Sequence, residues 1–372
     1  MTSEVQSGLE GVVAFATQIA EPDKAGGALR YRGVNIEDLV GQVRFEKVWG
    51  LLVDGTFDPG LPPAEPHPLA IRTGDPRVDV QSALAMLSPE WGLRELIDIS
   101  DEQARQDLAR ASVMALSFVA QSARGAGKPP IPQAEVDKAT SIPERFLIRW
   151  RGEADPDHVK AIDAYWISAA EHGMNASTFT ARVVASTGAD AAACISSGIG
   201  ALSGPLHGGA PSRVLHMLEE VDRSGDPVGY VKGVLDRGER LMGFGHRVYR
   251  VRDPRADVLA AAAERFYRRG GDEGLYDLAR AVEATALRLL RERKPDRPLD
   301  TNVEFYTALL LHGLGFPTGL FTPIFAVGRV AGWTAHALEQ LATGRLIRPQ
   351  SEYVGERDRR WTAVEEREPV VA

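Results

Sequence analysis

Three histidines lie among glycines and small polar residues, where a ligand could reach an imidazole ring. His172 lies in A-E-H-G-M-N-A-S-T, His207 in G-P-L-H-G-G-A-P and His246 in G-F-G-H-R-V. Any one of these rings taken alone is also explained as a plain hydrogen-bonding side chain, because histidine often serves as one. The remaining histidines lack such settings and are interpreted as structural: His67, His158, His216, His312 and His336.

His207 is set apart by the helix that is expected to begin after it. Gly208, Gly209 and Ala210 are followed by Pro211, and proline is favoured in the first turn of a helix. The free N–H groups and the dipole at such a helix start favour anions and lower the pKa of a nearby histidine. A histidine that is neutral at physiological pH can donate a hydrogen bond to a developing enolate oxygen.

Four arginines fall within nine residues of an otherwise acidic chain: Arg247, Arg250, Arg252 and Arg255. A solvated helix face is the usual reason for such a run. This run, however, follows G-F-G directly and ends in D-P-R, where the proline restricts the backbone. Guanidinium groups bind carboxylates bidentately and also hold phosphates. One polycarboxylate ligand and one phosphorylated ligand would account for the cluster.

Glu304 stands in T-N-V-E-F-Y, directly before the apolar run T-A-L-L-L-H-G-L-G. Burying a carboxylate is costly unless it is paired or neutralised. A first-turn carboxylate favoured by the helix dipole explains Glu304 as well as a catalytic role does. The combination favours catalysis, because a carboxylate base, a neutral histidine donor and arginines for carboxylates suit carbon–carbon bond formation through an enolate.

The composition is that of an acidic globular protein. The 372 residues are 44% hydrophobic and 25% charged, with a net charge of -8, and they suffice for a sizeable core and two domains. The negative charge argues against nucleic acid as the main partner. The N-terminus shows no signal peptide and no apolar run approaches the roughly 18 residues of a membrane span, so we expect a cytoplasmic location.

Several common site types lack their motifs. Cys194 is the only cysteine, which excludes an intrachain disulfide and a two-cysteine metal site, and its apolar surroundings are typical of a buried, inert thiol. G-A-G-K at 125–128 is too short for a phosphate-binding loop, and G-F-G at 243–245 lacks the third glycine of a dinucleotide fingerprint. The H-E-x-x-H and G-x-S-x-G motifs are missing as well.

Helical spacing of apolar residues dominates from residue 36 onward and predicts a mostly α fold. The helices are expected over 36–53, 102–122, 158–170, 189–202, 275–290 and 322–342, with a proline-rich loop over 60–78. Before residue 36, a short β-branched segment and G-G-A-L-R-Y-R-G predict minor β structure in a small hairpin. The chain has no βαβ alternation and no repeat of fixed period.

Several segments, in order along nearly the whole chain, resemble citrate synthases. They are E-H-G-M-N-A-S-T-F-T-A-R, G-P-L-H-G-G-A, G-F-G-H-R-V-Y-R-V-R-D-P-R-A, N-V-E-F-Y and R-V-A-G-W-T-A-H. The resemblance implies a large helical domain of residues 1–208 and 316–372, with a small domain of residues 209–315 inserted into it. It also implies a place in the tricarboxylic acid cycle and a homodimer with active sites between the domains, where domain closure excludes water.

By motif, the resemblance gives three residues catalytic roles. His207 would hydrogen-bond the thioester oxygen of acetyl-CoA and stabilise its enolate, His246 would polarise the ketone of oxaloacetate, and Glu304 would remove the methyl proton. The citryl-CoA formed would then be hydrolysed to citrate and CoA. Acetyl-CoA is a co-substrate in this chemistry, and the resemblance implies no metal and no redox cofactor.

Further residues are carried over as ligands of the two substrates. Oxaloacetate would be bound by His172, His246, Arg255, Arg329 and Arg348. Arg348, in L-I-R-P-Q, matches an arginine that the family supplies across the dimer interface. CoA would be bound by Arg250, Gly243 and Gly245.

The sequence departs from the family pattern at three positions. Gly173 stands where glutamate is usual, Thr301 where proline is frequent, and Glu304 where the base is normally aspartate. The extra methylene of Glu304 advances the carboxylate by about 1 Å, a displacement that can cost roughly 10²-fold in rate. Either the backbone has shifted to compensate, or the enzyme is slow, or its preferred acyl-CoA differs.

Two alternatives to a citrate synthase remain at this point. A 2-methylcitrate synthase would use propionyl-CoA, and since one methylene in an apolar pocket is worth only about 1–3 kcal/mol, both activities could coexist. A non-enzymatic relative would bind CoA or a dicarboxylate, but it would not need the histidines and arginines that this chain retains. The chain is also too short for the additional N-terminal region of members that respond to NADH, which favours a plain dimer.

Overall fold

The computed structural model describes residues 7–9, 11–23, 25, 27–208, 210–245, 249, 252–270, 272–295, 299–358, 360, 361 and 363. The chain divides into two compact units. One unit is Thr17–Leu346, and the other combines Met1–Ala16 with Ile347–Ala372. The α-helices and β-strands named below all belong to Thr17–Leu346.

The fold is mostly α, as the sequence predicted. Within the described residues there are fifteen α-helices: α1 (Ile36–Leu39), α2 (Phe45–Asp54), α3 (Pro76–Trp91), α4 (Asp101–Arg124), α5 (Gln133–Val136), α6 (Ile142–Arg151), α7 (Pro156–Ala169), α8 (Ala176–Ser186), α9 (Ala191–Leu202), α10 (Ala210–Ser224), α11 (Pro227–Asp236), α12 (Pro254–Arg268), α13 (Glu273–Arg293), α14 (Val303–Gly313) and α15 (Phe321–Thr343).

The predicted hairpin is present and belongs to a three-stranded antiparallel sheet. Its strands are β1 (Ala20–Pro22), β2 (Leu29–Tyr31) and β3 (Val34–Asn35), in the order β1-β2-β3. Arg32 and Gly33 form the two-residue turn between β2 and β3, with φ values of 47° and 87°. Positive φ at both central residues is what such a tight hairpin turn requires.

The apolar core of Thr17–Leu346 centres on α15, which packs against α2, α4, α7, α8 and α9. Two small residues one turn apart, Gly328 and Gly332, face the end of α7. A Cβ at 328 would come within 3.0 Å of the Ala169 Cβ, and a Cβ at 332 within 2.6 Å of the Ala170 carbonyl. The two glycines therefore bring the middle of α15 directly against the C-terminal end of α7.

A second group of helices packs mainly within itself. In this group α10 contacts α13 and α14, α11 contacts α13, and α12 contacts α14. Through α12 and α14 the group also packs against α7. The domain boundaries at 209 and 315 stay predictions.

Most of the predicted helices agree with the structure to within a few residues, and one difference has a clear cause. The segment 36–53 forms two helices, because Gly41 adopts a φ of 80° between α1 and α2. Helix α8 had no prediction, although Asn175 caps it by accepting a hydrogen bond from the Thr178 amide. Cys194 is buried, and burial raises the pKa of its thiol to about 12. None of the helices in the described part of the chain is long and apolar enough to cross a membrane.

Candidate active site

The start of α14 is held by the G-F-G loop. Asn302 caps the helix by accepting from the Glu304 amide at 3.1 Å. Its own amide donates to the Gly243 carbonyl at 2.9 Å, and its side-chain nitrogen donates to the Gly245 carbonyl at 2.8 Å. Both glycines have positive φ, and a Cβ at 243 would lie 2.9 Å from the Phe305 ring. The loop that precedes His246 is thus fixed to the turn that carries Glu304.

The carboxyl group of Glu304 lies in the first turn of α14 and is largely shielded from water. It has no hydrogen-bond partner among the residues that the structure describes. Burial raises its pKa to about 7, Arg255 opposes this increase and Asp253 adds to it. A carboxyl group with a pKa near 7 is partly ionised at physiological pH and partly protonated, which is suitable for a general base.

Arg255 is fixed at the start of α12 by the residue that caps this helix. Asp253 accepts from the Arg255 amide, and it also binds the guanidinium bidentately, with N–O distances of 3.0 and 2.8 Å. Its Oδ2 lies 3.3 Å from the Val303 amide, so the same carboxylate joins the N-termini of α12 and α14. Both members of this ion pair are buried. Asp253 thereby sets the position of Arg255 relative to Glu304.

Arg329 is buried in the contact between α15 and the end of α7. Its Nε donates to the Ala169 carbonyl at 2.7 Å, and its guanidinium lies 4.9 Å from the centre of the Phe325 ring. Its terminal nitrogens have no hydrogen-bond partner among the described residues. These nitrogens are donors that a ligand carboxylate could occupy.

His172 follows α7 and is supported by two tyrosines. Its Nε2 lies 3.1 Å from the Tyr249 hydroxyl, and the two rings meet edge to face at 5.3 Å. The preceding residue, Glu171, is bound through its backbone to the hydroxyl of Tyr31, which lies 3.2 Å from the amide and 3.0 Å from the carbonyl. The small sheet therefore contributes to this site, because Tyr31 belongs to β2.

His207 lies between α9 and α10, and its ring contacts α8. Its Nε2 is 2.9 Å from Ser177 Oγ, to which the Trp333 indole also donates at 3.2 Å. Burial lowers the pKa of His207 to about 4, and the positive charge of Arg329 contributes. The sequence predicted a lowered pKa from a helix dipole, whereas in the structure burial and Arg329 are the causes. Pro211 does lie in the first turn of α10, as predicted.

One tyrosine shows that the two groups of helices share this site. Tyr165, in α7, is buried, and burial raises its pKa. The charges of Arg329, Arg255 and Glu304 all act on its hydroxyl. Since α15, α12 and α14 each supply one of these charges, the two carboxylate-binding candidates and the candidate base face a common region beside α7.

Three predicted residues lie outside the described part of Thr17–Leu346. His246 and Arg250 lie outside the described residues. Arg348 is exposed and belongs to the unit formed by Met1–Ala16 and Ile347–Ala372. Their roles stay predictions.

The sequence analysis missed several residues that support the candidates. Ser177 contacts His207, Trp333 donates to Ser177, and Asp253 holds Arg255. The charges of three predicted residues act on Tyr165. Ser177 and Asp253 had recognisable signals, since N-A-S-T and D-P-R are both typical of a helix start. The contacts of Trp333 and Tyr165 join elements that are distant in sequence, which no local pattern reveals.

Two departures from the family pattern have a structural explanation here. Gly173 has a φ of 67°, and a Cβ there would lie 3.1 Å from Pro22, so a glutamate would be strained. Thr301 uses a hydroxyl that proline lacks, because its Oγ1 donates to buried Glu283 at 2.6 Å. The described residues contain no group of three or more His, Cys, Asp or Glu side chains that could hold a metal ion.

Comparison with known proteins identifies the family. A family model described as "Citrate synthase, C-terminal domain" matches residues 8–350. The chain belongs to the citrate synthase family. Members of this family are transferases, so the non-enzymatic alternative loses its support.

Three relatives and one solved structure show how far the similarity extends. A Mycobacterium tuberculosis protein with the provisional name citrate synthase 2 is 64% identical over 94% of this chain and 92% of its own. Citrate synthase of Haloferax volcanii is 39% identical over 99% and 100%, and 2-methylcitrate synthase of Shewanella oneidensis is 35% identical over 94% of each. A ternary complex of Thermoplasma acidophilum citrate synthase with carboxymethyl coenzyme A and oxaloacetate matches with a TM-score of 0.84 and 26% identity, covering 98% of this chain and 100% of that one.

Proposed function

We propose that this enzyme condenses acetyl-CoA with oxaloacetate and then hydrolyses citryl-CoA to citrate and CoA. The observation that carries the proposal is Glu304, a shielded carboxyl group with a pKa raised to about 7 beside a buried arginine. A structural carboxylate at a helix start would instead keep a low pKa through hydrogen bonds and the dipole. In its ionised form Glu304 can take the methyl proton of the thioester.

The enolate formed in this step needs a hydrogen-bond donor that does not itself carry a full charge. His207 has a pKa of about 4 and is neutral. Ser177 Oγ accepts from Trp333 Nε1, and two acceptors lie 2.9 Å from it, His207 Nε2 and Asn175 Oδ1. When Ser177 donates to His207 Nε2, Nδ1 of His207 carries the ring proton and donates it in a hydrogen bond to the enolate oxygen.

Oxaloacetate would be held by carboxylate–guanidinium pairs and by the histidines. Arg329 offers terminal nitrogens, Arg255 is fixed by Asp253, and His172 is oriented by Tyr249. With His246 polarising the ketone, the enolate carbon attacks it, and the new carbon–carbon bond gives the alkoxide of citryl-CoA, which takes up a proton. Water then cleaves the thioester and releases citrate and the CoA thiol.

The remaining predictions about the assembly belong to this proposal. The enzyme would act as a homodimer in which Arg348 of one subunit completes the oxaloacetate site of the other. Arg250, Gly243 and Gly245 would contact CoA, and the reaction would need no metal or redox cofactor. The cytoplasmic location also stays a prediction.

A second acyl-CoA is a candidate because one relative, 35% identical, is named a 2-methylcitrate synthase. Propionyl-CoA differs from acetyl-CoA by one methylene, which is worth about 1–3 kcal/mol in an apolar pocket. The longer side chain of Glu304 changes the distance from the α14 backbone to the reacting carbon by about 1 Å. Both thioesters therefore need to be tested.

The test measures release of free thiol with oxaloacetate and either acetyl-CoA or propionyl-CoA. We expect a clearly active wild type and a Glu304→Ala variant that loses most of its activity. Glu102→Ala is the matched control, because Glu102 also lies in the first turn of a helix but is exposed. A wild type no faster than Glu304→Ala with both thioesters would overturn the proposal.

The Glu304→Asp variant tests how well glutamate serves at a position where the family normally has aspartate as the base. A higher rate than wild type would mean that glutamate is a tolerated misfit at this position. A lower rate would mean that the site is built around the longer side chain.

A further inference from the structure

A chain of buried polar side chains runs beneath the candidate site. Arg182 donates to Glu339 at 2.6 Å and to Gln340 at 3.1 Å, and its Nη1 lies 2.9 Å from His336 Nδ1. His336 Nε2 in turn lies 3.2 Å from Glu171 Oε1. Three members of this chain, Arg182, His336 and Glu171, are at most 1% exposed. Such a network is costly to bury unless it is well satisfied.

The hydrogen-bond donors among these buried side chains determine which nitrogen of His336 carries the proton. A guanidinium cannot accept a hydrogen bond, so His336 Nδ1 must be the acceptor from Arg182. The ring is therefore neutral, and its Nε2–H donates to the carboxylate of Glu171. His336 thereby binds one oxygen of Glu171 in a defined direction.

The other carboxylate oxygen of Glu171 has an unusual environment. Oε2 is buried and has no hydrogen-bond partner. It occupies the space above Gly332, where a Cβ would collide with it. Arg329 lies three residues before Gly332 on the same helix, and His336 lies four residues after it. Glu171 is thus held between an arginine that it does not contact through a hydrogen bond and a histidine that it does.

The buried charge of Arg329 needs a negative charge nearby, but its terminal N–H donors must stay available for the substrate carboxylate. Arg329 is 2% exposed, and burial of a charge without compensation is costly. The negative charge of Glu171 stabilises the charged form of Arg329, and Arg329 likewise favours the ionised form of Glu171. A direct ion pair would supply the same compensation, but it would occupy the terminal nitrogens of Arg329.

We propose that Glu171 is a positioning residue that compensates the charge of Arg329 at a distance, while His336 and the space above Gly332 keep its carboxylate away from the substrate-binding nitrogens. This inference rests on the proposed binding of an oxaloacetate carboxylate by Arg329. In the absence of the His336 hydrogen bond, Glu171 turns to Arg329 and competes with the substrate.

The main test compares His336→Asn with the double variant His336→Asn/Glu171→Gln. For His336→Asn we expect the KM for oxaloacetate to increase about tenfold, with kcat within about threefold of wild type. In the double variant the competing carboxylate is gone, so the KM should return to within about threefold of wild type. If these side chains had only a structural role, the second substitution would instead raise the KM further or leave it raised. A KM in the double variant that is unchanged from His336→Asn, or higher, would therefore overturn the proposal.

Glu171→Gln provides a readout that does not depend on turnover. Without the glutamate, Arg329 lacks its compensating charge until a dicarboxylate binds. We expect a lower melting temperature than wild type in buffer and a larger increase on addition of oxaloacetate, because a ligand of the folded state raises the melting temperature. An increase no larger than that of wild type would contradict the proposal.

Gly332→Ala is a second variant without a change in charge. Its Cβ displaces the Glu171 carboxylate and also meets the Ala170 carbonyl, so thermal unfolding is measured beside the KM. The same increase in KM is expected. The control is Gly319→Ala, where a Cβ has open space, and its KM should equal that of wild type. A wild type that releases no thiol would refute the proposed function, whereas an active wild type with equal KM values for wild type and Gly332→Ala would refute only this inference.

Discussion

Glu304 and Glu171 are two shielded glutamates in the same unit, and their pKa values move in opposite directions. Glu304, at the start of α14, has no hydrogen-bond partner for its carboxyl group among the described residues, and burial raises its pKa to about 7. Glu171, after α7, is fully buried, so burial alone would raise its pKa even more strongly. The His336 ring and the charge of Arg329 instead lower it.

The difference shows that partners, more than depth, decide whether a carboxyl group here can exchange a proton. A hydrogen bond to the charged form and a nearby cation stabilise the carboxylate of Glu171. Glu304 receives only partial compensation from Arg255, because Asp253 already binds that guanidinium bidentately. One glutamate is therefore held in its charged form, and the other can exchange a proton near neutral pH.

The largest expected effect tests whether Glu304 is the group that exchanges the proton. Glu304→Gln keeps the shape but removes the base, so kcat should decrease about 10²–10⁴-fold. The melting temperature should not decrease, because the folded protein already favours the uncharged carboxyl group. Thiol release and thermal unfolding measure the two quantities, with Glu102→Gln as the control. A decrease in kcat below about tenfold would contradict this role.

A second effect extends the comparison to Glu283, a buried glutamate that is satisfied by hydrogen bonds. Thr301→Val removes the 2.6 Å bond to Glu283 Oε1 and leaves the 2.7 Å bond from Tyr306 to Oε2. We expect a loss of about 1–3 kcal/mol in the free energy of unfolding, measured with denaturant. Thr307→Val, on α14 and also buried, is the control. Equal stability of the two variants would show that this bond contributes nothing.

The pH profile gives a third effect, about tenfold in size. A base with a pKa of about 7 is mostly protonated at pH 6 and mostly ionised at pH 8. The rate of thiol release should therefore increase roughly tenfold between these pH values, with a midpoint near 7. A midpoint below about 5.5, close to the value of an ordinary glutamate, would mean that Glu304 behaves like Glu171.

The smallest effect concerns Asp163 in α7, whose carboxyl group accepts from the Phe45 amide at 2.8 Å. Burial raises its pKa to about 7. Because the folded pKa exceeds the unfolded value, the stabilisation is fully present below about pH 4 and is lost as the pH rises through about 7. Asp163→Asn should therefore raise stability at pH 8 by about 1–2 kcal/mol and leave it unchanged at pH 4. Equal melting temperatures of variant and wild type at pH 8 would contradict this assignment.

The sequence by itself determined the class of fold, most of the helices and the candidates for chemistry. Apolar spacing along α4, α13 and α15 is a local property, and so are the glycines of G-F-G and the cap at Asn302. Histidine, arginine and glutamate were also recognisable from residue type and neighbours. The hypothesis that a base, a neutral histidine and carboxylate-binding arginines act together came from the chemistry of these residue types alone.

Only the tertiary structure decided the pKa values and the charge states of these groups. The pKa of His207 depends on burial and on Arg329, which is 122 positions away in the sequence. Glu171 remains charged because His336 and Arg329 of another helix surround it, and Gly332 leaves the space for its carboxylate. Charge and burial act through space, so side chains from distant segments set the behaviour of each residue, and no local pattern contains that information.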